Sequence, residues 1–131
     1  MKPEELLYAK THEWASIQDD QGHKIATVGI SAFAVEQLTD LVFLEPPSVG
    51  QNVESGKSMG EIESVKAVSD VYSPVTGEVI EVNAELPDNL ERLNDDPYNA
   101  GWIAKVKVTD ESSLDALMDF AAYQKQCAEE Q

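Results

Sequence analysis

Short β-prone segments separated by glycine, proline and asparagine or aspartate turns run through most of this 131-residue chain. The clearest lies at 102–108, where apolar residues alternate with two lysines as in a half-buried strand. Another, at 78–82, places Ile80 and Val82 on one face and Glu81 on the other. Many short strands at this spacing predict a mainly β fold, either a sandwich or a flattened barrel. The other predicted strands are 12–18, 24–30, 41–44, 58–65 and 67–72.

Helices are predicted only at the periphery of this β structure. Ser31 suits the N-cap of a short helix at 32–38. Ser112 and Asp115 fit a capping box, which predicts a C-terminal helix over about 112–127 with an apolar stripe that packs on the core. The segment 84–100 is rich in Pro, Asn and Asp and predicts a surface excursion with one helical turn.

The charge balance narrows the classes of partner. Nine basic residues stand against 25 acidic ones, giving a formal net charge of −16. Nucleic acid and anionic membrane surfaces are therefore excluded as partners, since both require a basic surface. The negative electrostatic potential of an acidic chain favours docking to basic patches on other proteins. The other interpretation of the acidic composition is that it serves solubility alone. No 18-residue apolar stretch predicts a membrane span.

The length of the chain predicts one domain, with 1–131 folding as a single unit. We expect this domain to act as a monomer in a reducing compartment. The lone Cys127 excludes an internal disulfide and a Cys-x-x-Cys redox centre. No signal or transit segment is recognisable, so we expect a cytoplasmic protein. We expect no metal, because no His/Cys cluster has ligand spacing, and no catalytic residue, because His12 lacks a partner nucleophile or base.

Lys66 separates two of the β-prone runs, which are of nearly equal length. Their spacing predicts a hairpin with Lys66 at its tip. A lysine at a hairpin tip is open to solvent, and another enzyme can reach it. We therefore interpret Lys66 as the attachment point of a swinging prosthetic group.

Residues of about 49–83, the hairpin region, form one pattern around Lys66. It consists of Val49-Gly50, Val53, Gly56, Met59, Ile62-Glu63-Ser64, Lys66-Ala67, Val71, Ser73-Pro74, Gly77 and Val79. This pattern resembles the lipoyl/biotinyl attachment domain. Biotinyl domains typically have methionines on both sides of the lysine, and lipoyl domains of 2-oxoacid dehydrogenases usually have an aspartate before it. Here the flanking residues are Val65 and Ala67, which disfavours both.

The string Glu63-Ser-Val-Lys-Ala-Val-Ser-Asp-Val-Tyr-Ser-Pro74 resembles the glycine cleavage system H protein family, and the resemblance covers roughly residues 6–125. One departure is Thr39, which stands where the family commonly has a glycine. Others are Ser31-Ala32, Pro46 and Gln37. Further segments that are similar to the family are 8–14, 26–30, 41–45, 77–83, 93–94, 97–98, 101–103, 105–107 and Tyr123.

The resemblance implies a fold, a cofactor and a set of partners. The fold would be a flattened barrel-sandwich hybrid of two antiparallel sheets, lipoyl-domain-like, with a few short helices. Lipoate would be attached to Lys66, and the chain would be a non-catalytic carrier. It would take the aminomethyl group of glycine from the pyridoxal-phosphate-dependent glycine decarboxylase to the tetrahydrofolate-dependent aminomethyltransferase. Dihydrolipoamide dehydrogenase would then reoxidise the arm, and a lipoate-attaching enzyme would load it.

Two sets of residues are expected to serve the arm. Glu63, Ser64, Val65 and Ala67 flank Lys66 and are candidates for recognition by the modifying enzyme. Glu13, Gln37 and Asp70 are expected to line or border a cleft in which the arm docks, with the two acids pairing to the ammonium of the loaded arm. The other interpretation of these acids is exposed charge at strand ends.

Two other functions remain open from the sequence. The first alternative is a lipoyl donor or relay protein that supplies lipoate to other lipoyl domains. The second is an interaction module whose Lys66 stays unmodified. A measurement of intact mass distinguishes an unmodified interaction module from a lipoylated carrier. Glycine–bicarbonate exchange with the decarboxylase distinguishes a lipoyl donor or relay protein from a glycine-cleavage carrier.

Overall fold

The computed structural model describes residues 2–130 and is mainly β, as predicted. Nearly every predicted strand is present, with ends shifted by one or two residues. The strands of the described residues are β1 Leu7–Tyr8, β2 Glu13–Asp20, β3 His23–Ile30, β4 Leu41–Glu45, β5 Asn52–Val53, β6 Ser58–Ser64, β7 Val68–Tyr72, β8 Thr76–Val82 and β9 Ala104–Asp110.

The helices are short and peripheral. Three short 3₁₀ segments lie at Pro3–Glu5, Leu86–Asp88 and Glu111–Ala116. The α-helices of the described residues are α1 Ala32–Leu38, α2 Glu91–Asp95 and α3 Phe120–Glu130. Within residues 2–130 no helix has both the length and the apolar character needed to cross a bilayer.

The strands form two antiparallel sheets, which confirms the predicted fold class. The larger sheet has six strands in the order β1-β2-β3-β9-β8-β5. The smaller sheet has the order β4-β6-β7. The β6–β7 hairpin therefore forms most of the smaller sheet, and Lys66 lies in the connection between its two strands.

Two hydrophobic clusters hold the layers together. The main core is built from inward side chains of both sheets, among them Val28, Ile62 and Val106. A second cluster surrounds Tyr8 and Trp14 and is closed by Tyr123 of α3. The terminal helix is thereby fixed against the start of the chain, near the first residues of β2.

The C-terminal helix differs from the prediction of 112–127. Residues Glu111–Ala116 form a 3₁₀ segment capped by Asp110, and the α-helix begins only at Phe120. The reason is a β-bridge: the Met118 backbone exchanges hydrogen bonds of 2.7 and 2.8 Å with Tyr8, which requires extended chain. Asp119 then accepts a hydrogen bond of 2.9 Å from the Ala122 N–H and starts the helix anew.

The predicted burial pattern of β8 is also wrong at one residue, Ile80. Ile80 is 43% exposed, whereas Val79 is fully buried. A register shift between Val79 and Glu81 against β9 reverses the alternation at this point. The segment 84–100 contains two short helical pieces instead of one turn.

Candidate carrier site and the adjoining cavity

Lys66 is exposed at the tip of the β6–β7 hairpin. The last paired residues below the tip are Glu63 and Val68, and the pair below these is Ile62 and Ser69. Ile62 is 2% exposed and faces the core, so the hairpin is anchored by its inner face while its tip projects. This is the placement predicted for Lys66.

Ser64 fixes the shape of the tip. Its buried hydroxyl accepts hydrogen bonds from the backbone N–H groups of Lys66 and Ala67, at 3.3 and 3.1 Å. The Ser64 N–H donates to the Ala67 carbonyl at 2.8 Å, and the Val65 N–H donates to the Asp40 carbonyl at 2.9 Å. The backbone that carries Lys66 is therefore held from both sides.

The side chains beside Lys66 leave its ammonium accessible. Val65 is 70% exposed and Ala67 is exposed, while Glu63 is half-buried. Among residues 2–130 the ion pairs formed by basic side chains involve His12, Lys24, Lys57, Arg92 and Lys105, and none involves Lys66. No acid within the described chain competes with an incoming enzyme for this amine.

A cavity of about 310 Å³ opens beside the hairpin, between β7, α1 and the start of β2. Its lining combines apolar side chains with about as many polar and charged ones. Its lining residues include Thr11, His12, Glu13, Ile30, Phe33, Gln37, Leu38, Ile62, Ser69, Asp70 and Glu130.

Glu13 is the buried acid of this cavity, with only 2% of its surface exposed. Its carboxylate accepts hydrogen bonds from the Tyr72 N–H at 3.1 Å and from the Thr11 hydroxyl. Burial disfavours the charged form more than these bonds favour it, which raises the pKa of Glu13 to about 7. The group can therefore take up or release a proton near neutral pH.

Gln37 and Asp70 border the same cavity as Glu13, as expected, and both are exposed. Gln37 is an exposed residue of α1. The Asp70 carboxylate accepts a hydrogen bond of 3.2 Å from the Ser58 hydroxyl. Asp70 pairs with Glu61, which precedes the inward-facing Ile62 in β6. Because successive side chains of a strand point to opposite faces, the side chains of Glu61 and Asp70 lie on the outer face of the sheet. The structure thus places all three residues around one cavity, with Glu13 buried and the Asp70 carboxylate bonded to Ser58 at the edge.

Sequence reasoning did not anticipate the contribution of α3 to this cavity. The Tyr123 hydroxyl bonds to Ser31 Oγ at 2.5 Å and to His12 Nδ1 at 2.7 Å. His12 Nε2 bonds in turn to Glu130 at 3.1 Å, and its ring stacks on Phe33 at 5.0 Å. His12 therefore joins α3 to the start of β2 through these contacts. No local sequence pattern indicates contacts that span so much of the chain.

Within the described residues no group of three or more His, Cys, Asp or Glu side chains is placed to hold a metal ion. The described site consists of an exposed lysine, a buried acid and a cavity with both apolar and polar lining residues. These are means of carrying and sheltering a group.

The fold closely matches known structures and sequences. It is similar to the crystal structure of a glycine cleavage system H protein from Mycobacterium marinum, with a TM-score of 0.85, 37% identity, and coverage of 97% of this chain and 99% of that one. The chain is 59% identical over 127 residues to a glycine cleavage system H protein of Rhodopirellula baltica, covering 97% of this chain and 96% of that one. A Thermotoga maritima relative of the same description is 48% identical over 123 residues, covering 94% and 96%.

Two antiparallel sheets that project a lysine from a hairpin define a carrier fold of the lipoyl-domain-like class. The family model described as Glycine cleavage H-protein matches residues 6–130. The chain belongs to the glycine cleavage H-protein family. It is accordingly a non-catalytic carrier subunit with a lipoyl-carrier role in glycine cleavage, and it works with the enzymes of that system.

Proposed function

We propose that lipoate is joined by an amide bond to Nζ of Lys66, and that the chain carries the aminomethyl group of glycine between enzymes. The group moves from the pyridoxal-phosphate-dependent glycine decarboxylase to the tetrahydrofolate-dependent aminomethyltransferase. Dihydrolipoamide dehydrogenase completes the cycle, and a lipoate-attaching enzyme loads the carrier. The observation that supports this proposal is an exposed, ion-pair-free lysine on a rigid tip beside a cavity with a buried acid.

The residues present fit a lipoyl group. The chain has one cysteine and no dithiol, and bound lipoate supplies the disulfide that carrier chemistry needs. Amide formation removes the positive charge of Lys66, and the flanking Val65 and Ala67 then leave the tip apolar. A neutral, apolar tip lies more easily against the cavity walls than an ammonium does.

The cavity lies within reach of the tip. Ser69, which lines the cavity, is three positions after Lys66, a distance of roughly 10 Å along the chain. A lysine side chain extended by an acyl chain can fold back over such a distance. Ile30, Phe33 and Leu38 form apolar walls that exclude water from a labile amine.

Glu13 supplies the charge complement inside this cavity. The ammonium of an aminomethyl group placed beside Glu13 favours the ionised carboxylate and lowers its pKa. Glu13 thus gives up its proton when the loaded arm docks and takes one up when the arm leaves. Gln37 at the rim offers a neutral hydrogen-bonding partner.

Intact mass and exchange kinetics test the proposal. Lipoylation must add the mass of one lipoyl group, and Lys66→Arg must abolish the addition while Lys57→Arg, another exposed lysine, retains it. The lipoylated chain must then support glycine–bicarbonate exchange with the decarboxylase. Lipoylation without exchange would contradict the glycine-cleavage role and leave the lipoyl donor or relay function.

The role of Glu13 has a separate test. Glu13→Ala should shorten the lifetime of the aminomethyl-loaded protein, because the cavity loses the charge that holds the amine. Glu91→Ala, at an exposed acid of α2, is the matched control and should leave the lifetime unchanged. An unchanged lifetime in Glu13→Ala removes this residue from the proposal.

A further inference from the structure

The outer face of the β4-β6-β7 sheet has two ordered rows of side chains. Directly paired residues on neighbouring strands point to the same face. Phe43, Glu63 and Val68 are paired in one row, directly below the tip that carries Lys66. The next pair along these strands, Leu44 with Ile62, points to the inner face and is buried. A second outer row follows it, formed by Glu45, Glu61 and Asp70.

The first row is unusually apolar for an exposed face. Phe43 is 44% exposed, and Val68 is 60% exposed on the opposite side of Glu63. Val65 at the tip and Val42 in the neighbouring bulge extend the same end of the sheet. Of the six large hydrophobic side chains exposed within residues 2–130, these are four, so the exposed apolar surface is concentrated around Lys66.

The second row places three acids side by side. Like charges directly opposite one another in a sheet are destabilising. Within residues 2–130 no basic side chain forms an ion pair with Glu45, Glu61 or Asp70, and they are not arranged as a metal site. Only the Ser58 hydroxyl bonds to Asp70. This row weakens the isolated sheet and complements a basic partner.

We propose that this outer face, defined by Phe43, Glu45, Glu61, Glu63, Val68 and Asp70, is the docking surface for the enzyme that acylates Lys66. The inference rests on the proposed lipoylation of Lys66. The matching surface on the enzyme is an apolar depression with a basic rim, next to the opening of its active site.

The position of the reacting atom favours the acylating enzyme over the other partners as the protein that docks on this face. The acylating enzyme must bring its activated acyl group to Nζ itself, so it has to contact the surface immediately around the tip. Enzymes that act on the distal end of the lipoyl arm need not contact the protein surface around Lys66.

Acylation kinetics with a purified ATP-dependent lipoate ligase test the proposal, with intact mass as the readout. Phe43→Ser/Val68→Thr and Glu45→Gln/Glu61→Gln should each raise the KM for the carrier roughly tenfold and leave kcat nearly unchanged. Added salt should raise the KM of the unaltered chain more than that of the acid variant. The acid variant should also unfold at higher urea than the unaltered chain, because repulsion in the row is relieved.

Matched controls change the same residue types elsewhere. Val49→Thr/Ile80→Thr alters exposed apolar residues outside the small sheet, and Glu4→Gln/Glu5→Gln removes the same charge near the N-terminus. Both should retain the original KM. An unchanged KM in the outer-face variants would overturn the proposal, as would normal acylation with impaired glycine–bicarbonate exchange, which would assign the face to the decarboxylase. If the unaltered chain is not acylated at Lys66, the proposed function itself fails.

Discussion

The carboxylate of Glu13 accepts a hydrogen bond of 3.1 Å from the backbone N–H of Tyr72, 59 residues further along the chain. This bond joins the start of β2 to the last residue of β7. It connects the larger sheet to the hairpin that carries Lys66, and it buries an acid at the edge of the cavity. Burial raises the pKa of this carboxyl, and the bond from Tyr72 offsets part of that shift by favouring the charged form.

Burial of Glu13 predicts a specific pH dependence of stability. The pKa of Glu13 is raised from 4.5 to about 7, so the folded chain holds a proton that the unfolded chain has lost between these values. This contribution to stability is complete below pH 4.5 and is lost as pH rises through about 7. Its full size is roughly 3 kcal/mol. Urea unfolding at a series of pH values should show that Glu13→Gln removes this decline.

The control for this prediction is an acid without burial. Glu91→Gln, at an exposed position of α2, should leave the pH dependence between pH 4.5 and 7 as it is in the unaltered chain. A Glu13→Gln variant with the same slope as the unaltered chain would show that Glu13 ionises normally in the folded protein.

Ser64 is predicted to control how well the tip presents Lys66. Ser64→Ala removes the acceptor of two backbone N–H groups, those of Lys66 and Ala67, and should loosen the turn. A lost hydrogen bond of this kind is worth about 1 kcal/mol, so kcat/KM for lipoylation should fall roughly fivefold. Rates measured by intact mass check this. Ser48→Ala, at an exposed position outside the hairpin, should behave like the unaltered chain.

Local features of the site were predictable because short-range physics determines them. The helix at 32–38 has the predicted bounds, and Ser31 caps it by accepting a hydrogen bond of 3.2 Å from the Ala34 N–H. The hairpin around Lys66 follows from two β-prone runs and the residues between them. Both features depend on residues within a few positions of one another.

The remaining features depend on contacts between distant residues. The bridge of Met118 to Tyr8 divides the predicted C-terminal helix, and the register shift after Val79 turns Ile80 outward. Neither is visible in local periodicity. The direction of the Asp70 carboxylate likewise depends on its pairing with Glu61, which sets the face of the sheet it occupies.

The Tyr123 hydroxyl is predicted to stabilise both the terminal helix and α1. Tyr123→Phe removes bonds to Ser31 Oγ and His12 Nδ1 while it keeps the ring in its buried place. The expected loss is about 1–3 kcal/mol in the free energy of unfolding, because partly buried polar atoms lose a partner. Urea unfolding measures the loss, and hydrogen exchange should show faster opening of α1.

The matched control for this change is Tyr72→Phe, which keeps the backbone N–H that Tyr72 donates to Glu13. Its half-buried hydroxyl takes no part in the network around His12, so its effect on α1 should be small. Equal exchange rates in α1 for Tyr123→Phe and the unaltered chain would mean that α3 does not support the cavity wall.

Thr39 is predicted to be a point of backbone strain. It ends α1 with φ of 63° and ψ of −127°, a conformation that favours glycine and penalises a β-branched residue. Thr39→Gly should therefore raise the free energy of unfolding by about 1 kcal/mol, although it loses the bond from Thr39 Oγ1 to the Leu38 carbonyl. In the control Thr109→Gly, an exposed position of β9, the same substitution should destabilise the chain. Urea unfolding of both variants gives the comparison, and destabilisation by Thr39→Gly would show that the hydroxyl contact outweighs the strain.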